Sequence, residues 1–184
     1  EIYADTPIDT GFTFEFYGKT NDEPGSIYMV SKSVVGDTNH YSDKLRLGIA
    51  EKNIFDAAFS NYPSESNWQL PGNNSHWIRK ELGVDFSQNG GNYITVTVNL
   101  ETNTVELYVN GEFLDSMTCS HEWLVNGKLT DNTVPFTIGL RISGSEYYEN
   151  YSAMELYTCR LYDRVLTDKE IADNCETTIS YRND

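Results

Sequence analysis

Two stretches of the chain bring flat aromatic rings together with directional polar groups. Ser60 to His76 carries Tyr62, Trp68, Gln69, Asn73 and Asn74, with Trp77 just beyond it. Ser143 to Ala153 carries Tyr147, Tyr148, Glu149, Asn150 and Tyr151. Such rings cover the CH faces of a pyranose, while amide and carboxylate groups hydrogen-bond its hydroxyls in fixed directions. The chemistry on offer is noncovalent sugar recognition, with Tyr62, Trp68, Asn73, Trp77, Tyr147, Tyr148 and Tyr151 as the candidate ligand-binding residues. Packing is the competing use, because a tryptophan can cap the end of a sheet and tyrosines can lie over sheet edges.

A third stretch, Gly36 to Asp43 (GDTNHYSD), offers oxygen ligands from Asp37, Asn39 and Asp43, the donor type that calcium takes. It lacks the central glycine and closing glutamate of an EF-hand, and solvated turn formation accounts for the same acids. The histidines His40, His76 and His121 stand apart, with no H-x-x-x-H or H-E-x-x-H spacing for a transition metal. No G-x-S-x-G elbow occurs, and Gly90-Gly91 and Ser143-Gly144-Ser145 flank strand-like runs rather than opening a helix. Neither a serine nucleophile nor a phosphate cradle is indicated.

The elements that must position these residues belong to a chain of 184 residues and 20.9 kDa, the size of a single domain spanning residues 1–184. Thirteen basic against 28 acidic side chains leave a net charge of −15, which repels a phosphate backbone or an anionic membrane surface. Nucleic acid is excluded as a partner on that ground, and no apolar run is long enough for membrane insertion. Hydrophobic residues make up 39% of the chain, which is too apolar for an acidic disordered tail. The cysteines Cys119, Cys159 and Cys175 are too few for a disulfide scaffold, and their odd number leaves at least one thiol unpaired within the chain. The start at Glu1, without the charged-then-apolar order of a signal peptide, reads as a mature or excised segment of a larger protein.

Apolar side chains recur at every second position through most of the chain, which predicts strands. Phe12, Phe14 and Phe16 alternate with Thr13, Glu15 and Tyr17. Further strands are expected over Ile27 to Ser31, Leu45 to Ala50, Ile54 to Phe59, Ile78 to Phe86, Phe136 to Ile142 and Leu156 to Leu161. Between Tyr93 and Asp115 the alternation of Ile94, Val96 and Val98, then Val105, Leu107 and Val109, predicts a hairpin. Asn110-Gly111 then turns the chain back through Phe113 to make a three-stranded meander. One helix is expected, opened by a Thr167-x-x-Glu170 capping box with Leu166 stapled onto Ile171. Many antiparallel strands with one late helix predict an all-β fold, two sheets packed face to face as in a jelly roll.

Four segments resemble the laminin-G-like, concanavalin A-like lectin and glucanase superfamily. They are FTFEFYGK, ITVTVNLETNTVELYVNGEFL, PFTIGLRISG and LYTCRLYDRVLTDKEI, the last being the most specific. The resemblance implies an antiparallel β-sandwich of concanavalin A type with one short C-terminal helix, in a secreted or cell-surface protein. It also makes a structural or ligand-bridging calcium more expected. Cys159 stands where relatives carry an aliphatic residue, so it is expected to face inward as a small hydrophobe. Cys175 could reach Cys159 or Cys119. Glucanases of this fold resemble one another in an E-x-D-x-E strand motif; this chain has no E-x-D, and its single D-x-E, Asp168 to Glu170, lies in the capping box. The expected function is a noncatalytic, lectin-like module whose partner is a glycan or cell-surface polysaccharide. A protein-interaction or spacer module is the alternative.

Overall fold

A computed structural model describes residues 10–20, 27–33, 43–50, 52–60, 75–88, 90–118, 136–141, 150–151 and 154–183. Its strands are β1 (Gly11–Thr20), β2 (Ile27–Ser33), β3 (Asp43–Ala50), β4 (Ile54–Ser60), β5 (Ser75–Glu81) and β6 (Asn92–Asn99). β7 (Thr104–Val109), β8 (Glu112–Thr118), β9 (Phe136–Ile138), β10 (Leu140–Arg141), β11 (Asn150–Tyr151) and β12 (Met154–Tyr162) follow, and the chain closes with helix α1 (Asp168–Asn183). A first five-stranded sheet runs β12-β1-β6-β7-β8 and a second runs β5-β4-β3-β2-β9, with β10 and β11 forming a small pair. All pairings described are antiparallel, as expected of a jelly-roll sandwich.

Alternation along each strand sends one set of side chains into the space between the sheets. Phe12, Phe14, Phe16, Ile94, Val96, Val98, Val105 and Leu107 meet Met29, Leu45, Leu47, Ile49, Phe55 and Ala57 there, and together they form one buried core. The opposite parity faces outward on each sheet. Asn110 and Gly111 turn β7 into β8 with φ of 51° and 83°, the left-handed pair that a two-residue hairpin turn requires.

The capping box forms as expected: the Glu170 carboxylate accepts from the Thr167 backbone N–H at 2.9 Å, and Thr167 Oγ1 accepts from the Glu170 N–H at 3.3 Å. Leu166 and Ile171 share a buried cluster with Tyr108, which docks the helix entry on the first sheet. The helix has 16 residues, longer than the short one implied by resemblance.

Two strand expectations are corrected. The run Ile78 to Phe86 is strand only as far as Glu81, and its strand begins earlier, at Ser75. Beyond it Gly83 adopts φ 68°, and the Phe86 N–H bonds to the Lys52 carbonyl, so the chain leaves the ladder while Phe86 stays in the core. The run Phe136 to Ile142 is broken at Gly139, whose φ of 72° splits β9 from β10 and pairs Leu140 with Tyr151 instead. Apolar alternation continued through that glycine, but its left-handed backbone ends the ladder.

Candidate functional site

The two outward faces of the sandwich are built differently. On the first sheet, Glu15 is fully buried beneath α1. Its carboxylate accepts from Tyr162 Oη at 3.1 Å, from Asn174 Nδ2 at 3.0 Å and from Arg160 Nη1 at 3.3 Å. The same Arg160 nitrogen donates to Tyr93 Oη at 2.8 Å and Thr178 Oγ1 at 3.0 Å. Burial, with Glu15 beside it, pushes the Tyr93 phenol far above its ordinary range. Burial, with Asp168 and Glu106 beside it, does the same to Tyr108, whose hydroxyl donates to Asp168 at 2.8 Å. Both phenols therefore stay protonated. A buried carboxylate surrounded by donors on the helix and the sheet holds the two together.

The second sheet's outward face carries its polar groups in cross-strand register. Ser31 lies between Thr137 and Arg46, and Arg46 pairs in turn with Ala58. Ser31 and Thr137 share a 2.8 Å hydroxyl bond, and Arg46 Nη2 donates to Asp56 Oδ2 at 2.9 Å. The Arg46 and Asp56 side chains are only 5% and 13% exposed, although they face away from the core. One strand further, Arg79 on β5 sits opposite Asp56 and Glu81 sits opposite Ile54.

Beside this ion pair lies an open groove of about 440 Å³ lined by Asn53, Ile54, Arg79, Lys80 and Glu81. Its volume falls within the roughly 300–1,000 Å³ of small-ligand sites. Ile54 supplies an apolar patch, Arg79 and Asn53 supply donors, and Glu81 supplies an acceptor. Lys80 is anchored to Asp115 of β8 at 2.6 Å, an ion pair that ties the two sheets together at this margin. Glu81 is the one carboxylate among the described lining residues, whereas glycoside hydrolysis of the common kind needs two.

Most residues singled out from the sequence lie outside the described ones: Tyr62, Trp68, Asn73, Tyr147, Tyr148, Asp37 and Asn39. Three have a backbone position. Trp77 lies on β5 opposite Ala58, two residues from Arg79. Tyr151 lies on β11 opposite Leu140, and Asp43 opens β3 opposite Ser33. The registers put Ser33, Asp43, Ser60 and Ser75 at one end of the second sheet, so segments 34–42 and 61–74 both leave from that end. The groove is at the other end. Gly139, just before β10, bonds to Met29 near the start of β2, so segment 142–149 leaves from the groove's end. The two aromatic segments thus originate at opposite ends of the sheet.

Sequence reading missed Arg46, Asp56, Asn53, Ile54, Arg79 and Glu81. A usable signal existed for the first two: Arg46 sits between Leu45 and Leu47, and Asp56 between Phe55 and Ala57. Opposite charges at outward positions of two consecutive strands can form a cross-strand pair. Among the described residues no three His, Cys, Asp or Glu side chains come together to hold a metal. Cys159 packs against the core as expected, and Cys175 is buried on α1. Both are free thiols, pushed up to about 11 by burial, and they sit on opposite sides of the first sheet. Cys119 lies outside the described residues.

Residues 3–172 match a laminin-G domain family described as the concanavalin A-like lectin/glucanases superfamily. The chain belongs to this family. No curated protein matches it in sequence. In structure it is similar to the CBM40 of the Ruminococcus gnavus IT-sialidase bound to α2,3-sialyllactose, with a TM-score of 0.70 and 16% identity over 90% of this chain and 83% of that one. A leech intramolecular trans-sialidase complexed with 2,7-anhydro-Neu5Ac matches with a TM-score of 0.67 and 15% identity, over 89% of this chain and 23% of that one. The binding domain of botulinum neurotoxin DC in complex with rat synaptotagmin II matches at 0.51 and 14%, over 92% and 36%. At such identities the likeness shows the concanavalin A-like fold.

Proposed function

We propose that this laminin-G-like domain is a noncatalytic glycan-binding module that holds an acidic sugar on the outward face of its second sheet. The observation carrying the reading is the groove beside the Arg46–Asp56 pair, where Ile54 can meet a pyranose face while Arg79, Asn53 and Glu81 meet its polar groups. Arg79 gives the groove a guanidinium whose planar set of donors matches a carboxylate, which suits a carboxylate-bearing sugar. The sialylated ligand of the similar CBM40 supports the same sugar class. Trp77 is the sequence-derived candidate closest along the strand to Arg79. Tyr62, Trp68, Asn73, Tyr147, Tyr148 and Tyr151 are proposed to extend the contact from the ends of the sheet.

We propose a structural use for calcium at Asp37, Asn39 and Asp43, because Asp43 opens β3 at the end of the sheet away from the groove. The parent protein is proposed to be secreted or displayed at a cell surface, where glycans are met. A protein-binding use is the second reading, favoured by the synaptotagmin complex of the similar neurotoxin domain.

Calorimetric titration with 3′-sialyllactose and with lactose tests the first reading. Binding of the sialylated sugar alone, weakened roughly tenfold or more by Arg79→Ala, is expected. Equal binding of both sugars, or an unaffected Arg79→Ala variant, contradicts it.

A further inference from the structure

The opposite side of the molecule holds a second groove, also of about 440 Å³, between the Asn110-Gly111 turn and α1. Gly111 brings the turn close to the helix: at its φ of 83° a side chain would be strained, and a β-carbon there would press on Cys175 Cβ at 3.2 Å. Ala172, Cys175 and Ile179 make the floor apolar, and Glu112 and Glu176 stand on its two sides. Both carboxylates are exposed, and among the described residues neither has an ion pair or hydrogen bond. The other acids of this helix are engaged: Glu170 with Arg164, Asp173 with Lys169, and Asp168 with Tyr108. Phe113, next to Glu112, is 56% exposed and lies edge-on to Tyr108, which adds apolar surface beside the acidic rim.

We infer that this groove docks a basic segment of a protein partner, seating the aliphatic stem of a lysine or arginine on Ala172 and Ile179 with its charge between Glu112 and Glu176. The argument is charge complementarity joined to shape. Long cationic side chains cover apolar surface with their stems and keep the charged head at the rim, which matches an apolar floor flanked by two carboxylates. The groove is open along one side, so it suits a side chain presented by another surface rather than a ligand enclosed on all sides. This site lies on the opposite sheet from the glycan groove and stands or falls without it.

The test uses the full chain and the acetylated, amidated peptide Lys-Leu-Lys-Leu-Lys, followed by amide chemical shifts. Shifts at Gly111, Glu112 and Glu176 are expected. The double variant Glu112→Gln/Glu176→Gln should weaken the peptide by roughly three- to tenfold and flatten its salt dependence. Ala172→Arg, which fills an exposed helical position with the chain's own cation, should abolish binding without altering the helix signal. Absence of shifts at these amides, or affinity unchanged in both variants, overturns the assignment. Hexylammonium binding as tightly as the peptide also overturns it, since that marks a site for small cations rather than a protein segment.

Discussion

Beneath α1 the first sheet's outward face is closed over a buried carboxylate, whereas the second sheet's outward face lies open beside its ion pair. On the first sheet, every partner of Glu15 comes from a neighbouring strand or from α1, and the carboxylate is wholly buried. On the second, the Arg46–Asp56 pair is nearly buried, yet the adjacent positions on β4 and β5 border an accessible groove. Polar residues at alternate strand positions are therefore of two kinds. Those under the helix are enclosed and hold the fold, and those beside the groove border solvent. The same sequence alternation produces both, and only the placement of α1 distinguishes them.

The sharpest way to break this contrast is at its closed side. Glu15→Ala removes the acceptor shared by Tyr162, Asn174 and Arg160, and should cost about 3 kcal/mol, since a broken buried pair leaves polar groups stranded. For a domain of this size that lowers the melting temperature by roughly 6–12 °C in calorimetry. A loss below about 1 kcal/mol would mean that the network does not hold the helix. Asp56→Ala should cost less, about 2 kcal/mol, because Arg46 keeps other contacts. Its sharper effect is expected on sialyllactose affinity, which Glu15→Ala should change only through stability.

Thr167→Ala removes one half of the capping box and is expected to cost about 1 kcal/mol in chemical unfolding. The other half sets an acid limit. Arg164 above all, then the Thr167 backbone and hydroxyl, holds the Glu170 carboxyl down at about 2. Because this folded value lies below the ordinary 4.5, the stabilisation is complete above pH 4.5 and is lost as the pH falls through 2. Helical ellipticity followed from pH 5 to 2 should show a slope that Glu170→Gln reduces. The smallest effect concerns the thiols. With both pushed up to about 11, Cys159 and Cys175 should react with a thiol reagent at pH 8 far more slowly in the folded Cys119→Ser variant than in denaturant.

Much of this architecture is written in local pattern. The alternation of Phe12, Phe14 and Phe16 marks a buried face, Asn110-Gly111 marks a hairpin, and Thr167 with Glu170 marks a helix start, because each depends on neighbours within a few residues. Gly139 shows where pattern misleads: apolar alternation passes through it unbroken, but its backbone turns the chain from one strand partner to another. The groove was not legible at all. Asn53 and Ile54 meet Arg79 and Glu81 only through the register of β4 with β5, across a segment of 14 residues between Ser60 and Ser75. Nothing in the local type of Arg79 distinguishes it from any surface arginine. Glu15 posed the converse problem, since a polar residue at an outward strand position reads as solvated until a helix from the far end of the chain covers it.

Mapping of backbone amide shifts during titration with 3′-sialyllactose tests the contrast between the faces most directly. Changes gathered at Asn53, Ile54, Arg79 and Glu81, with Tyr93, Tyr108 and Thr178 unmoved, are what an open second sheet and a network enclosed beneath α1 require. Shifts centred beneath α1, or none on β4 and β5 while the sugar binds elsewhere, would contradict the account.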